Sequence, residues 1–127
     1  MADKDFRAVF AGLRTILEPY APEMEVNTDS DVEYGLQTHW RRAKDGYPGH
    51  FAMVKVGKRY VSYHLMPVYG FPELLDGMSD ALRSRMQGKS CFNFTAVDKA
   101  LFTELTTLTR RGYDVFAANG LLEGSDG

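Results

Sequence analysis

The spacing of apolar residues changes near residue 25, and this change constrains the fold more than any other feature of the chain. Before it, apolar residues recur every three or four positions, which places them on one face of a helix. These residues are Phe6, Val9, Phe10, Leu13, Ile16, Leu17 and Tyr20. After it, Val32, Tyr34, Leu36, Thr38 and Trp40 alternate with other residues, which is typical of a β-strand. A helix followed by strands predicts a mixed fold.

A hairpin is predicted where Gly57-Lys58 separates two further apolar segments, His50–Val56 and Arg59–Leu65. Glycine at the first position of a two-residue loop favours a type II′ turn, which joins antiparallel strands. This loop length sets the register and pairs Val54 with Val61 on one face of the sheet. We expect that face to be the core face, covered by helices.

The opposite face of this hairpin is mixed in polarity and is the predicted ligand-binding region. The predicted register brings together Phe51, Met53, Tyr60 and His64, with Trp40 and Tyr69 as candidate rim residues. Three helices can cover one face of a small sheet but not both, and an uncovered apolar face is typical of a binding site. We therefore predict a ligand groove or a homodimer surface there.

The remaining elements complete the predicted architecture. A short strand is expected near Met24–Thr28, a second helix from Pro72 to a closing Gly88, and a strand at Ser90–Phe94. A capping-box pattern at Thr95 and Asp98 predicts a third helix ending at Gly112. The expected fold class is therefore α+β, with an antiparallel sheet of about four to five strands and three helices mainly on one face. A single domain over residues 3–122 and a flexible tail at 123–127 are expected.

Composition limits the classes of function. A chain of 127 residues with a formal charge of −2 and a pI near 5.9 fits one domain without a field that attracts nucleic acid or anionic membranes. Its single cysteine excludes an internal disulfide and fits a reducing compartment. The N-terminal residues show no signal-peptide pattern, and no segment is apolar enough to span a bilayer. The expected location is cytoplasmic.

Gly88-Lys89-Ser90 resembles the end of a phosphate-binding loop, but the rest of that motif is absent. The position five residues before Gly88 is Arg83 where the motif needs glycine, and a helix leads into the segment where the motif needs a strand. We therefore expect no nucleotide binding at this segment.

The order of these segments is similar to that of the YdhG-like family of small bacterial domains of unknown function. The matching segments are EVNTDSDVEYGLQTHW, KRYVSYHL and GKSCFNFTAVDKALFTELTTL, and the resemblance covers roughly residues 3 to 116. Some members of that family are described as intracellular iron chaperones. The resemblance implies no catalytic motif, and it implies iron carriage as an alternative function.

Two clusters of residues give alternatives to a simple binding module. Asp29, Asp31 and Glu33 alternate along the chain, so their carboxylates could share a face and hold a hard metal ion. A charge run of this kind is more often solvated surface. Cys91 and His64 could form a thiolate–imidazole pair for an enzyme, if the fold places them together. No cofactor is expected, and the predicted partner is a small molecule, a protein or a second copy of the chain.

Overall fold

The computed structural model describes residues 6–126 and confirms the α+β class. Within these residues there are six strands in one antiparallel sheet and four α-helices. The helices are α1 (Phe6–Leu17), α2 (Met66–Gly70), α3 (Asp80–Arg83) and α4 (Lys99–Ala118). The strands are β1 (Glu25–Asp29), β2 (Glu33–Arg41), β3 (Pro48–Val56), β4 (Val61–Leu65), β5 (Met86–Gln87) and β6 (Cys91–Phe94). The predicted start at residue 3 lies outside the described residues.

The sheet has the strand order β1-β2-β3-β4-β6-β5, and α1 and α4 pack together on its core face. The apolar face of α1 is buried as its spacing predicted, and Leu13 and Leu17 are fully enclosed. α4 packs beside α1, and the hydroxyl groups of Thr109 and Tyr63 lie 2.6 Å apart in a buried hydrogen bond between helix and sheet. The opposite face carries half-buried side chains, among them Met53 and His64.

The hairpin between β3 and β4 has a longer loop than predicted. Gly57 N–H donates to the carbonyl of Tyr60 at 2.9 Å, so four residues form the loop and Val56 pairs with Val61. The predicted two-residue turn is wrong, because Gly57 does not adopt the positive φ that a type II′ turn needs. The register moves by two residues, an even number, so Val54 still faces the core.

A β-bulge in β3 exchanges the faces of two residues. Leu36 pairs with Ala52 while the next residue, Gln37, pairs with His50, so β3 contains one extra residue at this point. The extra residue turns Phe51 into the core, where it has 0% exposure. His50 turns the other way and lines the open side. The predicted position of Phe51 on the open face is therefore wrong.

The predicted second helix is replaced by short turns. Residues Pro72–Leu75 form one 3-10 turn, and α3 follows only after Gly77, whose φ of +83° interrupts the helical backbone. Ser79 caps α3, since its hydroxyl accepts from the N–H of Leu82 at 3.1 Å. β5 then leads into Gly88, so the Gly88-Lys89-Ser90 segment joins two strands.

The last helix is longer than predicted at its C-terminal end. It begins after Asp98, whose carboxylate accepts from the N–H of Leu101 at 3.1 Å, so Thr95 is not its cap. It continues through Gly112 to Ala118, because Gly112 is a packing position: a Cβ there would lie 2.9 Å from Cβ of Pro67. Gly120, with φ of +70°, ends the helix instead.

The C-terminal segment, including residues 123–126 of the predicted flexible tail, is hydrogen-bonded to β2 and to Ala43 just after it. His39 N–H donates to the carbonyl of Leu122 at 2.9 Å, and Arg41 N–H donates to that of Gly124 at 2.8 Å. Ala43 N–H donates to the carboxylate of Asp126 at 2.7 Å. Gly127 lies outside the described residues. Among the described helices, none combines the length and the apolar character needed to cross a membrane.

Candidate functional site

The open face of the sheet carries a row of side chains that crosses four strands. Strand pairing places Gly35 beside Met53, Met53 beside His64, and His64 beside Cys91. Gly35 has no side chain, so the face is lowest at the β2 end of this row. A depression across the middle of the sheet follows from this arrangement.

A polar network borders this row on the side of the hairpin loop. Ser62 Oγ donates to Asn93 Oδ1 at 2.9 Å, and Asn93 Nδ2 donates to Gln87 Oε1 at 2.7 Å. The hydroxyl of Tyr60 donates to the same Gln87 oxygen at 3.3 Å. Tyr60 therefore lies at the edge of the open face, outside the depression.

The depression is a hollow of about 490 Å³. Its wall contains polar side chains toward β1 and apolar side chains toward α2. It is lined by Asn27, Thr28, Glu33, Gly35, Leu36, Gln37, His50, Ala52, Met53, His64 and Met66. Two predicted site residues, Met53 and His64, are therefore brought together here.

A second cavity, which we call the aromatic groove, lies at the end of the sheet nearest α2. It has a volume of about 340 Å³ and is almost wholly apolar. It is lined by Trp40, Tyr47, Pro48, Gly49, His50, Met66, Tyr69, Gly70, Phe71, Phe116 and Leu121. Tyr47 and Tyr69 remain 52% and 58% exposed, so much ring surface faces the opening.

Local packing fixes the position of Trp40 in the aromatic groove. Its ring lies close above Gly49, where a Cβ would come within 3.3 Å of the indole Cε3 and 2.8 Å of the Thr38 hydroxyl. Thr38 is fully buried and donates to the carbonyl of Leu121 at 2.8 Å. A side chain larger than hydrogen at position 49 would clash with the Thr38 hydroxyl and press against the indole.

His50 and Met66 line both cavities and so form a shared wall between them. The ring of His50 packs edge-on against Tyr47, with centroids 5.4 Å apart. The bulge at Phe51 puts His50 in this place. An elongated molecule that reached past this wall could occupy the hollow and the aromatic groove at once.

Three polar side chains form a hydrogen-bonded cluster at the β4–β6 pair. His64 Nδ1 lies 3.0 Å from Cys91 Sγ, and His64 Nε2 lies 3.3 Å from Ser90 Oγ. Burial, with a contribution from His50, lowers the pKa of His64, and burial raises the pKa of Cys91. Both shifts favour neutral groups, so the arrangement is a thiol beside a neutral imidazole.

The three acidic residues of the predicted metal site have different surroundings. Asp29 forms an ion pair with Arg14 at 2.9 Å, and Asp31 is exposed. Glu33 lines the hollow. Within residues 6–126, no group of three or more His, Cys, Asp or Glu side chains is placed to hold a metal ion. The structure does not bring the predicted set together.

The six predicted ligand-binding residues thus divide among four places. Trp40 and Tyr69 line the aromatic groove, and Met53 and His64 line the hollow. Tyr60 lies at the edge and Phe51 in the core. Sequence reasoning missed Tyr47, His50, Phe71 and Phe116. The aromatic and imidazole residues of Tyr47-Pro48-Gly49-His50 were a signal in the sequence, whereas Phe116 depended on α4 continuing past Gly112.

Comparison with known proteins gave no match: no protein-family model, curated protein or solved structure resembles this chain closely enough to be assigned. The resemblance to the YdhG-like family stays a prediction.

Proposed function

We propose that the protein binds a small amphipathic molecule, with its apolar part in the aromatic groove and its polar part in the hollow. One observation carries this proposal: five aromatic rings from separate parts of the chain surround a single cavity of about 340 Å³. They come from β2, the β2–β3 loop, α2, the turn after it, and α4. These residues are Trp40, Tyr47, Tyr69, Phe71 and Phe116.

The dimensions of both cavities support a small-molecule ligand. Pockets for such ligands have volumes of about 300–1,000 Å³, apolar walls and a few polar groups. The aromatic groove supplies the apolar wall, and the adjoining hollow supplies amide, imidazole and carboxylate groups. Apolar surface enclosed by the aromatic groove would contribute about 25 cal/mol per Å² to binding.

No observation favours the iron-carrier alternative. Asp29 forms an ion pair with Arg14, and Asp29, Asp31 and Glu33 are not grouped to bind a metal ion. The enzyme alternative has one observation in its favour, the 3.0 Å contact between His64 and Cys91. The raised pKa of the thiol counts against nucleophilic catalysis, which needs an accessible thiolate.

Trp40 provides a direct test, because it is the single tryptophan of the chain. We expect titration with small aromatic amphiphiles to change its fluorescence in a saturable way. Tyr69→Ala should weaken that binding about two- to tenfold, since an aromatic contact contributes about 0.5–1.5 kcal/mol.

Val97→Ala is the matched control, because Val97 is an exposed apolar residue outside both cavities. It should leave the affinity unchanged. Equal effects of the two substitutions, or no saturable change in Trp40 fluorescence with any amphiphile, would contradict the proposal.

A further inference from the structure

We infer that the polar part of the ligand is a protonated amine, held in the hollow by the side-chain oxygen of Asn27 and the carboxylate of Glu33. This inference rests on the proposed function and names the class of ligand. It follows from the direction in which the hydrogen bonds around the hollow run.

A series of hydrogen bonds that starts at Glu25 fixes the orientation of the side-chain amides of Gln37 and Asn27. Hydrogen bonds from Gln37, Arg41 and His39 lower the pKa of Glu25, so its carboxylate is ionised and accepts only. Gln37 must therefore present its amide nitrogen, which donates to Glu25 at 2.8 Å. Its remaining oxygen accepts from Asn27 Nδ2 at 3.0 Å.

The same series of hydrogen bonds leaves the side-chain oxygen of Asn27 as an acceptor facing the hollow. Because the nitrogen of Asn27 is directed at Gln37, its oxygen must point the other way. That oxygen lies over Gly35, where a Cβ would come within 2.5 Å of it. Gly35 also lines the hollow. The glycine thus makes room for a hydrogen-bond acceptor above the sheet.

The carboxylate of Glu33 adds a negative charge to the same hollow. It forms no ion pair or side-chain hydrogen bond with any described residue, although Lys55 is its cross-strand neighbour. Both nitrogens of His64 are engaged by Cys91 and Ser90. Apart from the hydroxyl of Thr28, which can donate or accept, the free polar groups at this end of the hollow are therefore acceptors, which require a donor from the ligand.

The distribution of positive charge agrees with a cationic ligand. Among the described residues, no lysine or arginine lines either cavity, and Glu33 is the one carboxylate of both walls. Arg42 and Lys89 lie over the rings of Tyr47 and Tyr69 at 5.1 and 5.8 Å, at the aromatic groove rather than in the hollow. A carboxylate in the hollow would meet Glu33, and the described wall holds no lysine or arginine to offset that repulsion.

The geometry of β2 sets the length of such a ligand. Gln37 pairs with His50 at the shared wall, and Glu33 lies four residues away along the same strand. At about 3.3 Å per residue, these positions are about 13 Å apart. A molecule with its apolar end in the aromatic groove therefore needs an extended chain of several carbons before its amine.

Three probes share the same phenyloctyl group and differ in the charge of their polar end, so they separate the effect of charge from that of hydrophobicity. They are 8-phenyloctylamine, 8-phenyloctan-1-ol and 8-phenyloctanoate. Each is used below the concentration at which it aggregates. Affinity is measured by Trp40 fluorescence. We expect the amine to bind most tightly. Glu33→Gln should weaken amine binding about threefold or more, as expected for a partly exposed ion pair, without changing the affinity of the alcohol.

Asp31→Asn is the matched control, because it removes the same charge two positions away, outside the cavity walls. It should leave amine binding nearly unchanged. The carboxylate probe binding as tightly as the amine, or an equal effect of Glu33→Gln and Asp31→Asn, would overturn the inference. Failure of the proposed function is recognised separately, by Tyr69→Ala weakening none of the three probes.

Discussion

The imidazole of His64 is held on both sides by residues of one loop and strand. Cys91 Sγ lies 3.0 Å from one ring nitrogen and Ser90 Oγ lies 3.3 Å from the other. Burial lowers the pKa of the imidazole and raises the pKa of the thiol, so both are neutral at pH 7. With neutral groups, one ring nitrogen of His64 carries a proton and donates, and the other accepts from its neighbour.

We expect Cys91 to react slowly with iodoacetamide at pH 7 and faster as the pH rises above the ordinary thiol pKa of about 8.5. The raised pKa of Cys91 keeps the thiolate scarce below that pH. The rate of alkylation is followed by mass spectrometry, and one cysteine in the chain makes the signal unambiguous.

The same protein unfolded in urea is the control, because its thiol has an ordinary pKa. The folded protein should react more slowly than the unfolded one at every pH from 6 to 8. A fast rate that stays constant down to pH 6 would instead indicate a thiolate–imidazolium pair and favour the enzyme alternative.

Sequence patterns located Cys91 and His64 on strands but could not make them neighbours. Their contact depends on β4 pairing with β6, which are separated by 25 residues of turns and short elements. The position of Phe51 is a second feature that sequence patterns could not predict. A single extra residue in β3 reverses the faces of Phe51 and His50, and alternation along the strand contains no sign of it.

Among the elements, α4 depends on a glycine at its contact with α2. Gly112 is buried against the ring of Pro67, so the two helices approach closely there. Gly12 in α1 has a comparable place under Phe102, where a Cβ would lie 2.9 Å from the ring edge. The two glycines differ in what they touch, since a phenyl ring can turn away and the proline ring cannot.

We expect Gly112→Ala to destabilise the protein despite the better helix propensity of alanine. The propensity gain is about 1 kcal/mol, whereas overpacking a closed contact costs about 1–3 kcal/mol. The net loss should therefore be at most about 2 kcal/mol in the free energy of unfolding, measured by urea denaturation.

Gly12→Ala makes the same chemical change against a side chain that can move. Its free energy of unfolding should stay near the wild-type value or rise. If Gly112→Ala also proves neutral or stabilising, α2 and α4 are not held at the distance that the structure describes.

The elements that the sequence predicted well are those whose apolar pattern is contained in one short segment. The apolar face of α1 recurs over five buried positions, and the structure buries the same side chains. The segment from residue 72 to 87 shows the converse. Leu74 and Leu82 are buried as a helical stripe would require, but Gly77 at φ +83° breaks the backbone between them. Apolar spacing does not distinguish one helix from two separate turns.

At the scale of the whole molecule, the C-terminal segment is hydrogen-bonded to β2 and is not a free tail. The N–H groups of His39, Arg41 and Ala43 donate to this segment, beyond the point where β1 pairs with β2. Leu121 at its start also lines the aromatic groove. The segment therefore connects the edge of the sheet to the candidate site.

Removing residues 123–127 should destabilise the protein by about 1–3 kcal/mol or more, because it breaks at least two hydrogen bonds of about 0.5–1.5 kcal/mol each. Two of these bonds are donated by Arg41 and Ala43. The free energy of unfolding is measured by urea denaturation, and exchange of the Arg41 amide hydrogen should become faster.

Asp126→Ala is the graded control, since it removes the bond from Ala43 and keeps that from Arg41. It should cost less than the truncation and leave exchange at Arg41 slow. Unchanged stability and unchanged exchange in the truncated chain would show that the pairing is absent in solution.

Composition and periodicity predicted the α+β class and an antiparallel sheet with helices on one face. They did not predict the cavities, because each cavity is made by segments that are distant in the sequence. Trp40 and Phe116, for example, line the same groove because α4 continues past Gly112 and the chain then returns to β2.

The strand order has a consequence for how the chain folds. The first four strands are neighbours in both sequence and space, so three hairpin pairings need only short loops to close. The contact of Gly12 with Phe102 joins positions about 90 residues apart, and loops of that length lose more entropy on closing. Contacts of low sequence separation form fastest. We therefore expect the meander of β1 to β4 to supply the early contacts of folding, and the docking of α1 against α4 to be the later event that closes the core.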